Sequence, residues 1–504
     1  MSADRYPSLH TVPALAMQKA LKKADLDAHD LGLVEIDEVA AVSLHAARML
    51  GVDEDLVNVN GGAVALGHPI EAGGARIVLA LALGCGGGAS SWVAPRCAGA
   101  AVRATRSSSG IVADGLVTMS DAGRYELPPE LEEFRGVVRS FAEGTIGPRA
   151  AQIDHDDEWP EDVYAALVRA DLMGVGYPEE HGGSGGGSLA FGVLIEELSR
   201  VSAGVALTPI VSKLGVIPLT FAGTDEQRAA MIGGICRGEV LMSYALTEAG
   251  AGSDAVAMTT RYERTDEGFA LTGTKRFITG AGVSHAYVVF ATKDPSLRSK
   301  GVSAFLVMRD DPGVSFGKPE EKMGVKGSPT REVILQDARI PADRLIGEEG
   351  TGFATAMRTL DYSRPVIAAQ AVGIAQGALD VALTYGAERR QFDQRIVDFE
   401  GVRFMLADMA MKLEAARVLT YRALAACDAG DPRLTYHASV AKCFASDAAM
   451  AITTDAVQIL GGYGYMKEYP AERFMRDAKI TQIYEGTNQI QRLVISRELL
   501  KAFD

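Results

Sequence analysis

The chain is poor in cysteine. Its five cysteines, Cys85, Cys97, Cys236, Cys427 and Cys443, are scattered over 504 residues, with no pair at metal-ligand spacing. That pattern argues against a zinc site or a disulfide scaffold and fits reduced thiols in the cytosol. Basic charge is also short. Lys and Arg number 50 against 65 Asp and Glu, a formal net charge of −15. A nucleic-acid partner usually needs a basic face, so none is expected. Long apolar runs are missing too, and stretches such as residues 77–83 are far too short to span a bilayer. Residues 1–10 are polar and lack the apolar core of a secretory signal. These absences together predict a cytoplasmic protein with no membrane span and no bound metal.

Apolar residues are plentiful, at 47% of the chain, and the length allows several domains. Residues 12–21, 39–50 and 76–83 have helical character. From residue 92 to 123 the composition turns rich in Ala, Arg and Ser without periodicity, which reads as a linker. Helical spacing then runs through 127–144, 159–173, 188–201 and 224–236. After about residue 241 short β-type runs appear at 269–271, 287–290, 304–307 and 333–335, separated by Gly, Asp and Pro turns. From Gly352 helical spacing returns and continues to Leu500, with breaks near 391–398, 430–432 and 461–470.

Two motifs stand out in the second part. One is Ile483-Tyr484-Glu485-Gly486-Thr487-Asn488-Gln489-Ile490-Gln491-Arg492 and the other is Tyr244-Ala245-Leu246-Thr247-Glu248-Ala249-Gly250-Ala251-Gly252-Ser253. With the order helices, β domain, helices, they resemble the acyl-CoA dehydrogenase family over about residues 124–504. The resemblance implies a multidomain α+β chain. Its parts are an N-terminal helical domain (124–240), a middle β-barrel-like domain (241–347) and a C-terminal four-helix bundle (348–504). It implies FAD as cofactor, a homotetramer, and electron-transfer flavoprotein as electron acceptor.

The implied reaction is α,β-dehydrogenation of a short-chain or short-branched acyl-CoA. Such chemistry needs a base at the α-carbon, a stabiliser for the enolate-like oxygen and a two-electron acceptor at the β-carbon. In the resemblance Glu485 is the base, and its backbone N–H helps hold the oxygen. Some members carry the base at the position of Ser363, where serine cannot serve unaided. For the cofactor the resemblance implies Tyr244, Leu246, Thr247, Gly252, Ser253, Phe277, Ile278, Thr279, Thr487 and Gln489. The FAD pyrophosphate side is implied at Arg389, Gln391, Phe392, Glu400, Gln458, Gly461 and Gly462. Ser253, Asp361, Arg364, Tyr484 and Gly486 are the implied substrate contacts, with Arg364 on the CoA side.

Three departures mark this sequence. Ala249 replaces a usual proline. Asp393 stands where glycine is usual and Glu400 where glutamine is usual. An ionised glutamate repels phosphate and cannot donate to it, which predicts weaker FAD retention. The other reading turns Glu400 outward to a neighbouring arginine such as Arg403. Two rival functions follow: an acyl-CoA oxidase that uses oxygen, and a non-catalytic scaffold with impaired FAD binding.

The first hundred residues carry a different resemblance. Residues 57–69, ending Leu66-Gly67-His68-Pro69, are similar to the C-terminal part of a thiolase, an α/β fragment over 1–99. In that family the histidine activates a nucleophilic cysteine. The half that would bear this cysteine is missing, so His68 is expected to be a remnant. Cys97-Ala98-Gly99 sits where a Cys-x-Gly followed by glycines is expected. Residues 100–106 can be encoded by GC-rich codons that read Gly-Gly-Gln-Gly-Asp-Ala in a shifted frame. Two neighbouring genes joined by a frameshift would give this text, with 100–123 as the linker.

Overall fold

The computed structural model describes residues 127–501 and 503. Before these it describes Gln18, Leu21, Lys22, Asp27, Ala28, 31–36, 47–52, 92–93 and 100–104. The chain divides into two compact units, Met1–Gly123 and Arg124–Asp504.

In the first unit, β1 (Leu31–Ile36), β2 (Trp92–Val93) and β3 (Ala100–Ala104) form an antiparallel sheet of order β1-β3-β2. Ala100–Ala104 falls within the stretch whose composition suggests a linker. Backbone pairing from Ile36↔Ala100 to Leu31↔Ala104 makes it a strand instead. Its Ala and Arg content hides that pairing, because ladder hydrogen bonds come from the backbone. A helical turn ends at Leu50, with Ala47 and Leu50 buried. His68 and Cys97 lie outside the described residues.

The second unit opens with helices α1 (Pro129–Phe141), α2 (Gly147–Asp156), α3 (Glu161–Arg169), α4 (Gly187–Ser199), α5 (Ala203–Ala222) and α6 (Asp225–Cys236). Their ends obey simple rules. Pro129 starts α1 with Glu130 and Glu132 in its first turn, where the helix dipole favours negative charge. Thr224 and Gln227 form a reciprocal capping box on α6. Helix α5 is absent from the periodicity reading. It is apolar all round, so no amphipathic stripe marks it. By length and composition α5 and the later helix Gly352–Glu388 could cross a membrane, contrary to the expectation from short apolar runs. Both are instead mostly buried as core helices.

The middle region is an eight-stranded sheet. Its strands are β4 (Met242–Ala245), β5 (Arg261–Thr265), β6 (Gly268–Thr279), β7 (Ala286–Thr292), β8 (Val302–Met308), β9 (Val314–Phe316), β10 (Thr330–Pro341) and β11 (Leu345–Ile346). The order is β11-β8-β7-β5-β6-β10-β9, with β4 parallel to β7. One face packs an aromatic cluster of Tyr262, Phe269 and Phe305, with centroids 5.0–5.9 Å apart.

The C-terminal region holds α7 (Gly352–Glu388), α8 (Glu400–Ala429), α9 (Leu434–Leu460), α10 (Ala471–Thr481) and α11 (Asn488–Leu500). Three long helices and two short ones thus occupy the region expected to be a four-helix bundle. The short pair matters because the 482–487 turn between them carries Glu485. Side chains tie the regions together. Asp428 on α8 accepts from the Ser188 and Leu189 N–H groups at the start of α4, at 2.6 and 3.0 Å. Buried Asp477 on α10 accepts from Val325 N–H at 2.6 Å.

Candidate active site

The turn between α10 and α11 is built from two consecutive left-handed residues, Glu485 (φ +55°) and Gly486 (φ +89°). Glycine adopts this freely; glutamate pays of order 1 kcal/mol or more, so neighbours must hold it there. They do so through its carbonyls. Gln491 Nε2 donates to the Glu485 oxygen at 3.1 Å and to the Gly486 oxygen at 2.9 Å. Arg364 Nε donates to the Glu485 oxygen at 3.4 Å, and Lys442 Nζ to the Gly486 oxygen at 2.8 Å. The Glu485 N–H has no hydrogen-bond acceptor among the described residues.

The Glu485 carboxylate accepts a hydrogen bond from Ser363 Oγ on α7. Burial pushes its pKa up to about 7, while the Ser363 bond and then the Arg364 and Lys442 charges pull it down. A carboxyl poised near neutrality is suited to take and return a proton.

Other expected substrate contacts, and the expected cofactor residue Tyr244, gather here. Tyr484 donates its hydroxyl to Gln370 Oε1. Tyr244 packs on Phe290 with centroids 5.0 Å apart and donates to the Ala356 carbonyl at 3.3 Å. Burial holds both phenols well above their ordinary pKa. Arg364 is buried and pairs with Asp361 at 3.0 Å, and Thr435 donates to the same carboxylate at 2.7 Å. Arg364 therefore braces the Glu485 turn from a buried position.

The second motif lies on the loop after β4. Glu248 is buried and accepts from Thr259 N–H, Thr259 Oγ1 and Thr260 N–H at 2.6, 2.8 and 3.0 Å. It also pairs with Lys275 at 2.7 Å, and Lys275 donates to the Leu246 carbonyl at 3.1 Å. Arg276 N–H donates to the Thr247 carbonyl at 2.8 Å. These bonds clamp residues 246–253 to β6, which carries Phe277, Ile278 and Thr279. Phe277 has φ +58° and is 58% exposed, with the Arg276 guanidinium over its ring at 5.1 Å from the centroid. Gly252 and Ser253 are exposed as well. Leu246 and Ile278 are buried in the two hydrophobic cores and build this wall from behind instead of lining it.

A separate cleft of about 520 Å³ collects Arg389, Gln391, Gly461 and Gly462, with Tyr385, Tyr463 and Met466 around them. A Cβ added at Gly461 or Gly462 would meet nothing within 4 Å. An arginine, an amide and two bare glycines facing open space fit the phosphate part of a dinucleotide. Phe392 is 88% exposed beside it, and Gln458 is exposed on the last turn of α9. Glu400 is exposed and is the first residue of α8. Arg403 does not reach it. It bonds Asp398 at 3.3 Å and the Val397 carbonyl at 2.9 Å, which corrects the outward Glu400–Arg403 reading. Gln489 is exposed, and the Thr487 hydroxyl caps α11 by accepting from Ile490 N–H.

A carboxyl near neutrality, a free N–H at the same residue and an open cleft lined by an arginine and two glycines are the features an enzyme needs to draw a proton from carbon next to a carbonyl beside a bound cofactor. Comparison with known proteins agrees. Residues 128–239, 243–338 and 350–500 match the N-terminal, middle and C-terminal domains of acyl-CoA dehydrogenases. The probable acyl-CoA dehydrogenase FadE25 of Mycobacterium tuberculosis (strain H37Rv) is 50% identical over 377 residues, covering 75% of this chain and 97% of that protein. The butyryl-CoA dehydrogenase structure from Megasphaera elsdenii is 41% identical with a TM-score of 0.73, covering 74% of this chain and 99% of that one. A chain in a structure of electron transferring flavoprotein from Acidaminococcus fermentans is 44% identical with a TM-score of 0.73, at 74% and 99% coverage. The chain belongs to the acyl-CoA dehydrogenase family. Residues 2–105 match the C-terminal domain of thiolases.

Sequence reasoning missed Lys442, Gln370, Gln491 and Lys275. Lys442 left a usable signal. It is a lone cation on a helix face otherwise made of Ala438, Ser439, Ala445, Ser446 and Ala449.

Proposed function

We propose that residues 124–504 catalyse FAD-dependent α,β-dehydrogenation of a short-chain or short-branched acyl-CoA to the trans-2-enoyl-CoA. The observation that carries this reading is Glu485, a carboxyl raised to about 7 beside its own unpartnered N–H. The Glu485 carboxylate takes the proton from Cα. Its N–H donates to the thioester oxygen, where negative charge grows as that proton leaves. Ser363 orients the carboxylate, and Arg364 with Gln491 fixes the peptide that bears it. Bound FAD would supply the two-electron acceptor for the hydride that leaves Cβ. Arg389, Gln391, Gly461 and Gly462 would hold its phosphates, and Phe277 would pack against its ring system.

The likeness to a butyryl-CoA dehydrogenase supports a short acyl chain. The likeness to a chain from an electron transferring flavoprotein structure supports that flavoprotein as acceptor. Exposed Phe392, Tyr465 and Met466 near the cleft supply apolar surface for subunit contacts, in keeping with a homotetramer. The three described cysteines are free, which fits the cytoplasm. No observation favours the oxidase or scaffold readings.

The test is the visible spectrum of the purified protein before and after anaerobic addition of butyryl-CoA. A yellow protein whose flavin band bleaches supports the reading. Glu485→Gln should stay yellow and lose the bleaching. Bleaching that survives Glu485→Gln at the wild-type rate would remove Glu485 from the base role.

A further inference from the structure

Behind the base lies a charge that the reaction scheme leaves unused. Lys442 on α9 has 0% of its surface exposed. Its ammonium donates to the Gly486 carbonyl at 2.8 Å and to Asn488 Oδ1 at 3.0 Å. Burying an ammonium costs several kcal/mol unless something compensates. Lys442 has no ion-pair partner within 4.0 Å among the described residues. Nor does the turn need it for hydrogen bonding, since the Gly486 carbonyl already accepts from Gln491 Nε2 at 2.9 Å. A neutral donor would have served at lower cost.

We propose that Lys442 is a positioning residue for the base: from its hydrogen bond to the carbonyl of Gly486, the residue after Glu485, it supplies a buried positive charge that keeps the Glu485 carboxylate ionised. This rests on the reading of Glu485 as the base. The charges around the pair agree. Ser363, Arg364 and Asp361 face Glu485 from α7, and Cys443 and Asp447 flank Lys442 on α9. Arg492 and Arg497 lie on α11, Tyr244 on β4, Tyr484 on the turn and Asp477 on α10. Asp361 is paired with Arg364, and Asp447 with Arg492. Asp477 makes no ion pair among the described residues but accepts from Val325 N–H at 2.6 Å and does not act on Lys442, which leaves Glu485 as the unmatched carboxylate acting on that ammonium. Burial pushes the Lys442 ammonium down to about 8, and Glu485 is the foremost charge holding it up. The dependence is mutual, as linkage requires.

The experiment uses the full-length flavoprotein with Lys442→Arg, Lys442→Gln and Lys442→Met. Anaerobic bleaching by butyryl-CoA is followed against pH. The Glu485 carboxyl is titrated separately by infrared difference spectroscopy without substrate, assigned by subtracting the Glu485→Gln spectrum. Wild type and Lys442→Arg should share one acid limb. Lys442→Gln keeps a donor without charge, and Lys442→Met keeps neither. Both should move the limb upward by about one pH unit, a roughly tenfold slower bleaching on the acid side. A limb unmoved in Lys442→Gln overturns the inference. If wild type does not bleach at any pH, the dehydrogenase reading fails, and the infrared titration still decides the role of Lys442. If the neutral variants do not fold, Glu485→Gln in nitrogen-15 lysine-labelled protein should lower the Lys442 pKa. An unchanged Lys442 titration there would also overturn it.

Discussion

The Ser363 hydroxyl donates a hydrogen bond to the Glu485 carboxylate, joining α7 to the 482–487 turn across 122 positions of sequence. The resemblance to acyl-CoA dehydrogenases names these two positions as alternative sites for the base. Here they touch, with the carboxylate on one and a donor on the other. The hydroxyl stabilises the ionised form and so lowers the pKa that burial raises.

Ser363→Ala should therefore raise the Glu485 pKa above about 7. The base works ionised, so the acid limb of the bleaching rate should move upward, with little change on the alkaline plateau. A pH profile of anaerobic flavin reduction checks this. A limb that moves downward would contradict the assigned donor.

Glu485 also carries a stability cost. Its folded pKa of about 7 lies above the ordinary 4.5, so the folded state binds more protons between those values. Stability then falls as pH rises through that window. Glu485→Gln removes the cost and should raise the melting temperature at pH 8, by up to about 3 kcal/mol of stability. At pH 4 the gain should vanish. Thermal melts of both proteins at the two pH values read this directly.

The Glu248–Lys275 pair holds the 246–253 loop on β6. Lys275 and the Thr259 and Thr260 donors outweigh burial and hold the Glu248 pKa at about 2. Lys275→Met would strand a buried carboxylate and should cost about 3–5 kcal/mol. Adding Glu248→Gln should recover part of that loss. Urea titrations of the single and double variants, together with FAD content after gel filtration, test both the pair and its service to the flavin wall.

Phe392 and Asp393, at φ +50° and +60°, are the two loop residues of the hairpin between β12 (Arg390–Gln391) and β13 (Gln394–Arg395). Such two-residue loops favour glycine or asparagine. Asp393→Gly should stabilise the hairpin by about 0.5–1 kcal/mol, visible as a raised melting temperature.

Glu400 pulls in two directions. As the first residue of α8 it favours the helix dipole by about 0.3–1 kcal/mol, yet its charge opposes a phosphate. Glu400→Gln should lower the FAD dissociation constant while slightly lowering stability. Fluorescence titration of flavin-free protein measures the first effect and a melt the second. An unchanged dissociation constant would remove Glu400 from the cofactor site.

Much of the second unit was legible beforehand where one face of an element is wet. While β7 and β8, buried along their length, read as short β-type runs between turn residues, helices α1 and α3 show the periodicity that burial on one side imposes. Helix α5 did not, because it is buried on nearly all sides. The turn at 482–487 did not either. It interrupts two helical patterns with residues that look helical, and only three side chains from other helices hold its left-handed backbone. Strand β3 was hidden for a related reason, since its backbone pairing with β1 leaves no mark in an Ala and Arg composition.

The sequence by itself determined the family and put forward Glu485 as the proposed base, because these live in short motifs whose chemistry travels with residue identity. Tertiary structure alone decided the state of that carboxyl. Glu485 sits near neutrality because burial, the Ser363 hydroxyl and the Arg364 and Lys442 charges meet at one carboxyl from distant parts of the chain. Desolvation and Coulomb energy depend on distance in space, and spacing along a sequence does not carry that distance.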